Sequence, residues 1–223
     1  MAVFFPPSDA TIWDSWHTVG MRGTGSADIS VEDYFVPDHR TTPVRPLLEP
    51  AEGFDSPLYR LWPMYSVLGE ATVSIGVAAA SVEAGVELCR TKTAAYNVVP
   101  AREQLLPQYL LGKARAAVEA SRDTLRAATT QAYEDVAQGR LLGDESKIRL
   151  QLTVCFAAEA CAEAVRHVND AVGSSAIRLG RPFERYFRDA NVMTQHASKS
   201  RPRYASAARL MLGLENDWIF LSF

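Results

Sequence analysis

Apolar residues recur at three- and four-residue steps through most of this chain and alternate with polar ones only near its start. From about Leu58 onward the helical period dominates. Ala71, Ile75, Ala78, Val82, Val86 and Cys89 form one series. Leu111, Ala114, Val118, Leu125, Ala128, Ala132 and Val136 form a second. The cleanest is Val154, Ala158, Cys161, Val165, Val168 and Val172, stepping 4, 3, 4, 3, 4. A fourth segment runs over Phe183–Leu212, is interrupted at Arg201-Pro202 and stops at Gly213, a residue suited to a helix C-terminus. Each series marks one buried face of a helix. Loops around Pro100, Gly139–Asp144 and Gly173–Pro182 separate the four, and the Ala, Gly and Ser on their inner faces suit close contacts. The expectation is a mainly α fold, an antiparallel four-helix bundle over 58–223.

Residues 1–57 follow a different rule. Pro6, Pro7, Pro37, Pro43, Pro46 and Pro50 break the segment, together with Gly20, Gly23, Gly25 and Gly53. Between the breakers lie two β-type runs, Thr11–Val19 and Ala27–Val36, joined by a tight Gly20–Ser26 connection. Two runs are too few to close a sandwich or barrel, so this is a partial β-domain with a Pro-rich linker (43–57) to the bundle.

Composition narrows the class. The 223 residues are 48% hydrophobic and 22% charged, which disfavours a disordered or fibrous chain. No uncharged apolar run approaches the roughly 20 residues of a membrane span. The start, MAVFFPPSDA, has no basic region or cleavage site of a signal peptide. The net charge of -3 argues against a nucleic-acid partner. Cys89, Cys155 and Cys161 are odd in number, lack metal spacing and read as small buried hydrophobes in a reducing compartment, with the cytoplasm as the default.

Four places could carry chemistry, and each has a plain structural reading beside it. Gly20-x-x-Gly23-x-Gly25 links strand to strand, so it reads first as a turn. Arg90-Thr91-Lys92-Thr93 ends a helix, where its cations offset the macrodipole or clamp a phosphate. Gly173-Ser174-Ser175 is either an ordinary loop or an anion nest. On a continuing helix, Asp189, Val192, Met193 and His196 share a face, which makes His196 either a hydrogen-bonded core residue or a catalyst. His17, His39 and His167 lie among exposed-looking neighbours with no convergent acid. There is no metal-binding cluster and no nucleotide fingerprint.

The block from Trp16 through Gly20-Met-Arg-Gly-Thr-Gly-Ser26 to Pro37 resembles the second half of the middle β-domain of acyl-CoA dehydrogenase-like flavoproteins. The remainder is similar to their C-terminal helical domain, including Gly173–Asp189 and the Arg188-Asp189 that opens the last helix there. In acyl-CoA dehydrogenases proper, a Glu in a Tyr-Glu-Gly segment soon after the Arg-Asp takes the substrate α-proton. Here His196–Tyr204 contains no acid. The Thr-Gly-Ser turn and the Thr194-Gln-His196 ending look instead like the flavin-dependent (group D) monooxygenases. These take reduced FMN, or alternatively FAD, from a separate flavin reductase and hydroxylate a small organic substrate with O2.

The resemblance implies that His196 is catalytic at the flavin edge and that Trp16 lies near the flavin ring. It implies that Arg90 reaches a neighbouring subunit's flavin, with Gly173, Ser174 and Ser175 near the flavin phosphate. It also implies a homo-oligomer, dimer or tetramer. Full-length relatives carry an additional helical domain and the first half of the β-domain. The expectation is therefore a shortened form of such a protein, a truncated gene product or one half of a two-chain assembly. The competing readings are an acyl-CoA dehydrogenase whose base comes from elsewhere and a non-catalytic helical assembly partner.

Overall fold

The computed structural model describes residues 1–42, 53–61, 63–95 and 97–222. Three long helices carry the fold: α1 (Met64–Thr91), α2 (Leu105–Ala137) and α3 (Asp144–Val172). The ends of α1 and α3 lie together, with the Cys89 thiol facing the Ala171 carbonyl at 3.9 Å. α2 runs back between them, since Gly85 of α1 sits against both Leu111 and Val168. The fourth position of the bundle is filled by two short helices, α4 (Phe183–Met193) and α5 (Pro202–Met211).

The period read from the sequence maps onto the core. Val154, Ala158, Cys161, Val165, Val168 and Val172 are all buried. So are Ala71, Ile75, Ala78, Val82 and Cys89 of α1, and Ala114, Val118, Leu125, Ala128, Ala132 and Val136 of α2. Small residues draw the axes together, most tightly at Gly85, where an added Cβ would stand 2.7 Å from Val168 Cγ1. Asp144 and Glu145 in the first turn of α3 complement the positive end of its dipole. Gly213 takes the left-handed φ of 68° after α5, and Leu214 N–H bonds the Arg209 carbonyl, closing that helix as expected. By length and composition α1 is apolar enough to cross a bilayer. It nevertheless carries Glu70, Glu83, Glu87 and Arg90 and buries one face in the bundle.

Two expectations change. The fourth helix is interrupted earlier and more widely than at Arg201-Pro202. Its first part ends at Met193, and Thr194, Gln195 and His196 turn with N–H groups bonded three residues back. Pro202 then opens α5 at its first turn, where a missing N–H costs nothing. His196 thus lies in a turn rather than on a helix face. His167 is itself buried on α3, although Glu163, Arg166 and Asp170 around it are exposed, and it has an acid at hand: Glu163 Oε1, one turn back, lies 3.6 Å from its Nε2.

The N-terminal runs also shorten. β1 (Ala2–Val3) pairs antiparallel with β4 (Thr41–Thr42), and β2 (Thr11–Ile12) with β3 (Ile29–Ser30). The Trp13 N–H to Asp28 carbonyl bond, 2.9 Å, extends the second pair by one step. Ile12, Trp13, Val19, Ile29 and Phe35 remain exposed, so no packed face extends these ladders beyond two residues. Residues 43–52 of the expected linker lie outside the described residues.

Gly85 generates a test of the packing. Gly85→Leu forces four carbons into filled space between Val168 and Leu111 and should lower the unfolding free energy by about 1–3 kcal/mol. Urea denaturation followed by far-UV circular dichroism measures it; an unchanged midpoint would contradict the close approach.

Candidate functional site

The site is made by docking the N-terminal segment on α4. Gly20 is the contact point. An added Cβ there would lie 2.6 Å from the Arg188 carbonyl carbon and oxygen and 2.9 Å from the Asp189 nitrogen, so only glycine fits. Asp189 accepts the Met21 N–H at 2.6 Å, and Arg188 donates to the Val19 carbonyl while pairing with Glu184 at 2.7 Å. Arg188-Asp189 thus lies inside α4, not at a helix opening, and serves as the clamp for residues 19–21. The clamp fixes Met21 at a φ of 52°, and Trp16 donates its indole N–H to the Met21 carbonyl at 3.1 Å. The Gly-rich stretch is therefore a turn, and its job is to dock.

Across from Trp16 the 194–201 turn folds over the first half of α1. His196 Nδ1 lies 2.9 Å from Glu70 Oε2 and 2.8 Å from Ser198 Oγ. Ser198 Oγ also donates to Glu70 Oε2. A carboxylate oxygen and an imidazole lone pair would repel at 2.9 Å, so Nδ1 carries the hydrogen and Nε2 is the ring nitrogen left for a ligand. Lys199 is 3% exposed, and its Nζ donates to the Glu70 carbonyl at 3.2 Å and the Ser74 hydroxyl at 3.5 Å. Behind the turn, fully buried Gln151 donates to the Ser198 carbonyl at 2.8 Å and accepts the Trp218 indole N–H at 3.2 Å.

The electrostatics follow from these contacts. Burial works to raise the Glu70 pKa, but hydrogen bonds from His196 and Ser198, the His196 charge when the ring is protonated and the Lys199 charge outweigh it and hold the carboxyl below its ordinary value. Burial pushes the Lys199 pKa down, and the Glu70 charge opposes that shift. Glu70 is therefore an anion, held as a weak base.

Between the two walls lies a cavity of about 330 Å3. Trp16, Met21, Val73, Val192 and Met193 give it a largely apolar lining, with Glu70, His196 and Lys199 as its titratable groups and Thr24, Ser26 and Gln195 as neutral polar ones. Of the residues expected at a flavin, the structure brings Trp16 and His196 together. It does not bring Arg90 or Gly173–Ser175 to them. Twenty residues of α1 separate Glu70 from Arg90, about 30 Å along the helix. Arg90 is exposed and paired with Glu87 at 2.8 Å.

At that far end Lys92, rather than Arg90, reaches the Gly-Ser-Ser turn, donating to the Val172 carbonyl beside Gly173. Burial lowers its pKa, and the charges of Arg181 and Arg178 add to the effect. This is a second, basic region. Sequence reasoning missed Glu70, Ser198 and Lys199. The available signal was Glu70 as the one charged residue between Arg60 and Glu83. Among the described residues no group of His, Cys, Asp and Glu side chains could hold a metal ion.

Comparison with known proteins adds the context. Residues 68–201 match the family described as acyl-CoA dehydrogenase, C-terminal domain. An indole-3-acetate monooxygenase of Acinetobacter baumannii is 31% identical over 217 residues, covering 96% of this chain and 54% of that protein. The oxygenase component of an FADH2-dependent resorcinol hydroxylase from a Rhizobium species is 28% identical, covering 94% of this chain and 55% of that one. The structure of XiaF from a Streptomyces species, solved with FADH2 and glycerol, superimposes with a TM-score of 0.86 at 25% identity over 97% of this chain and 56% of that chain. The chain thus spans about half the length of the curated relatives it matches.

The docking contact is directly testable. Gly20→Ala should detach the N-terminal segment and open the cavity while leaving the helices intact. Trypsin should then cut faster at Arg22, with the thermal transition of the helical signal unmoved. Cleavage at the wild-type rate would show that Gly20 does not govern docking.

Proposed function

The chain belongs to the acyl-CoA dehydrogenase C-terminal domain family, and from that premise we propose that it supplies the helical part of a reduced-flavin-dependent monooxygenase, the oxygenase component of a two-component system. One observation carries this reading. Trp16 and His196 line one largely apolar cavity, and with Nδ1 engaged by Glu70 the imidazole has Nε2 left for a ligand. An apolar floor of Trp16, Val73, Val192 and Met193 fits a flat isoalloxazine ring, with His196 as the polar group beside it. When bound, reduced FMN or FAD supplies the two electrons with which O2 gives one oxygen atom to the substrate and the other to water.

The chain's own residues do the rest. Trp16 and the apolar side chains exclude water. His196 Nε2 accepts a proton from a substrate group, and the resulting imidazolium is held against the Glu70 carboxylate. A flavin reductase is the partner that supplies the reduced cofactor. The distance from His196 to Arg90 and Gly173–Ser175 supports a homo-oligomer in which the basic end, with Lys92, Arg178 and Arg181, holds the phosphate of a second copy's flavin. Three free, buried cysteines support a reducing, cytoplasmic setting.

Glu70 also bears on the acyl-CoA dehydrogenase alternative, because it places a carboxylate beside the cavity. A base that removes an α-proton must be a strong and unencumbered one. Glu70 Oε2 is engaged by His196 and Ser198 and the carboxyl pKa is lowered, which makes it a weak base and favours the oxygenase reading.

The test supplies enzymatically reduced FMN or FAD under 18O2 with indole-3-acetate and resorcinol as probe substrates, and follows product mass. One 18O atom should enter the product. In His196→Ala, product should fall on the order of 10²–10⁴-fold while hydrogen peroxide release rises and the helical signal stays. Bleaching of bound oxidised FAD by an acyl-CoA, with no need for oxygen, would overturn the proposal in favour of the dehydrogenase.

A further inference from the structure

We propose that Glu70 is the positioning residue of this site: its carboxylate holds the His196 ring in the Nδ1–H tautomer and fixes which nitrogen faces the cavity. The role in oxygenation rests on the monooxygenase reading; the tautomer does not.

His196 Nδ1 meets groups with opposite demands, the Ser198 hydroxyl and backbone N–H from its own turn and a carboxylate from α1. The Ser198 backbone N–H points at Nδ1 from 3.3 Å and would favour a bare nitrogen there, with the hydrogen on Nε2. Glu70 Oε2, at 2.9 Å, demands the opposite. The carboxylate wins, because a charge-assisted bond is shorter and about twice as strong as a neutral one. Without Glu70 the Ser198 N–H takes over, and the ring reverts to the Nε2–H form that imidazole side chains ordinarily favour. Nε2 would then be a donor toward the cavity and unable to take a proton.

The surroundings keep Glu70 in place for this task. Ser198 Oγ donates to the same carboxylate oxygen. Lys199 donates to the Glu70 carbonyl, supplying a buried positive charge near the carboxylate. Of the other groups lining the cavity with the ring, Trp16 and Val73 offer no hydrogen-bond acceptor, Met193 only a weak thioether sulfur, and Thr24, Ser26 and Gln195 only neutral ones. Glu70 is the one anion in contact with His196 among the described residues.

The experiment uses the full chain without flavin. Long-range 1H–15N spectra of the histidine rings at alkaline pH report the tautomer, and the His196 signals are those lost in His196→Gln. The wild-type ring should show the Nδ1–H pattern. Glu70→Ala should switch it to Nε2–H. Glu70→Gln, whose amide oxygen still accepts, should retain Nδ1–H, as should Ser198→Ala. With reduced flavin and O2, product per flavin should follow the tautomer: lowest in Glu70→Ala, on the order of 10²-fold or more below wild type, and partly rescued in Glu70→Gln.

A wild-type ring in the Nε2–H form, or a Glu70→Ala ring unchanged from wild type, overturns the proposal whatever the activity. If Glu70→Ala does not fold, the wild-type and Glu70→Gln spectra still decide it. A tautomer switch in a chain whose assembly transfers no oxygen would instead refute the monooxygenase reading and leave the positioning role standing.

Discussion

A carboxylate half-buried on α1 must find donors, and here all its side-chain donors come from one turn of the chain. Glu70 takes a hydrogen bond from the Ser198 hydroxyl and one from the His196 ring, and the Lys199 ammonium stands close by. That requirement draws residues 194–201 onto the first helix and fills the gap where the fourth position of the bundle is broken. The break is what makes the site. In an unbroken helix from Phe183 to Leu212, His196 and Ser198, two residues apart, would point to different sides and could not both reach Glu70 Oε2. The tight turns after Met193 and the start of α5 at Pro202 free eight residues to bend, and Gln151 clamps the bend from behind through the Ser198 carbonyl.

The second wall depends on a contact of another kind. Gly20 packs against the backbone of Arg188 and Asp189 with no room for a side chain, and the same two residues clamp the peptide on either side of it. The cavity is therefore bounded by two docked segments, each tied to the helices by polar groups that would be costly to bury unpaired. Around them the bundle is ordinary close packing of alanine, valine and glycine faces. It serves to hold α1, α3 and α4 at fixed separation.

Helical periodicity made the bundle legible, because burial on a helix repeats with its turn. All six positions of the Val154–Val172 series are in the core. The strands were less legible: apolar alternation in residues 11–19 and 27–36 cannot by itself extend a ladder when nothing packs on it. The joint presence of Trp16 and His196 at one cavity came from resemblance to a family, since nothing in the spacing links two residues so far apart. The acid partner was illegible for the same reason. Sequence reasoning sought it near His196, and the structure supplies it 128 residues before Ser198. The Arg90 and Gly173 regions were read separately, and Lys92 is what connects them.

The proposed seat of the flavin ring is the cavity between Trp16 and His196. Anaerobic titration of the 15N-labelled chain with reduced FMN tests it most directly, with the Trp16 indole assigned through Trp16→Phe. With the ring seated there, the Trp16 indole N–H and the His196 ring signals should shift together as flavin is added, with one common saturation curve. Shifts confined to the polar groove of Glu159, Arg166 and Arg201, with both reporters unmoved, would contradict it.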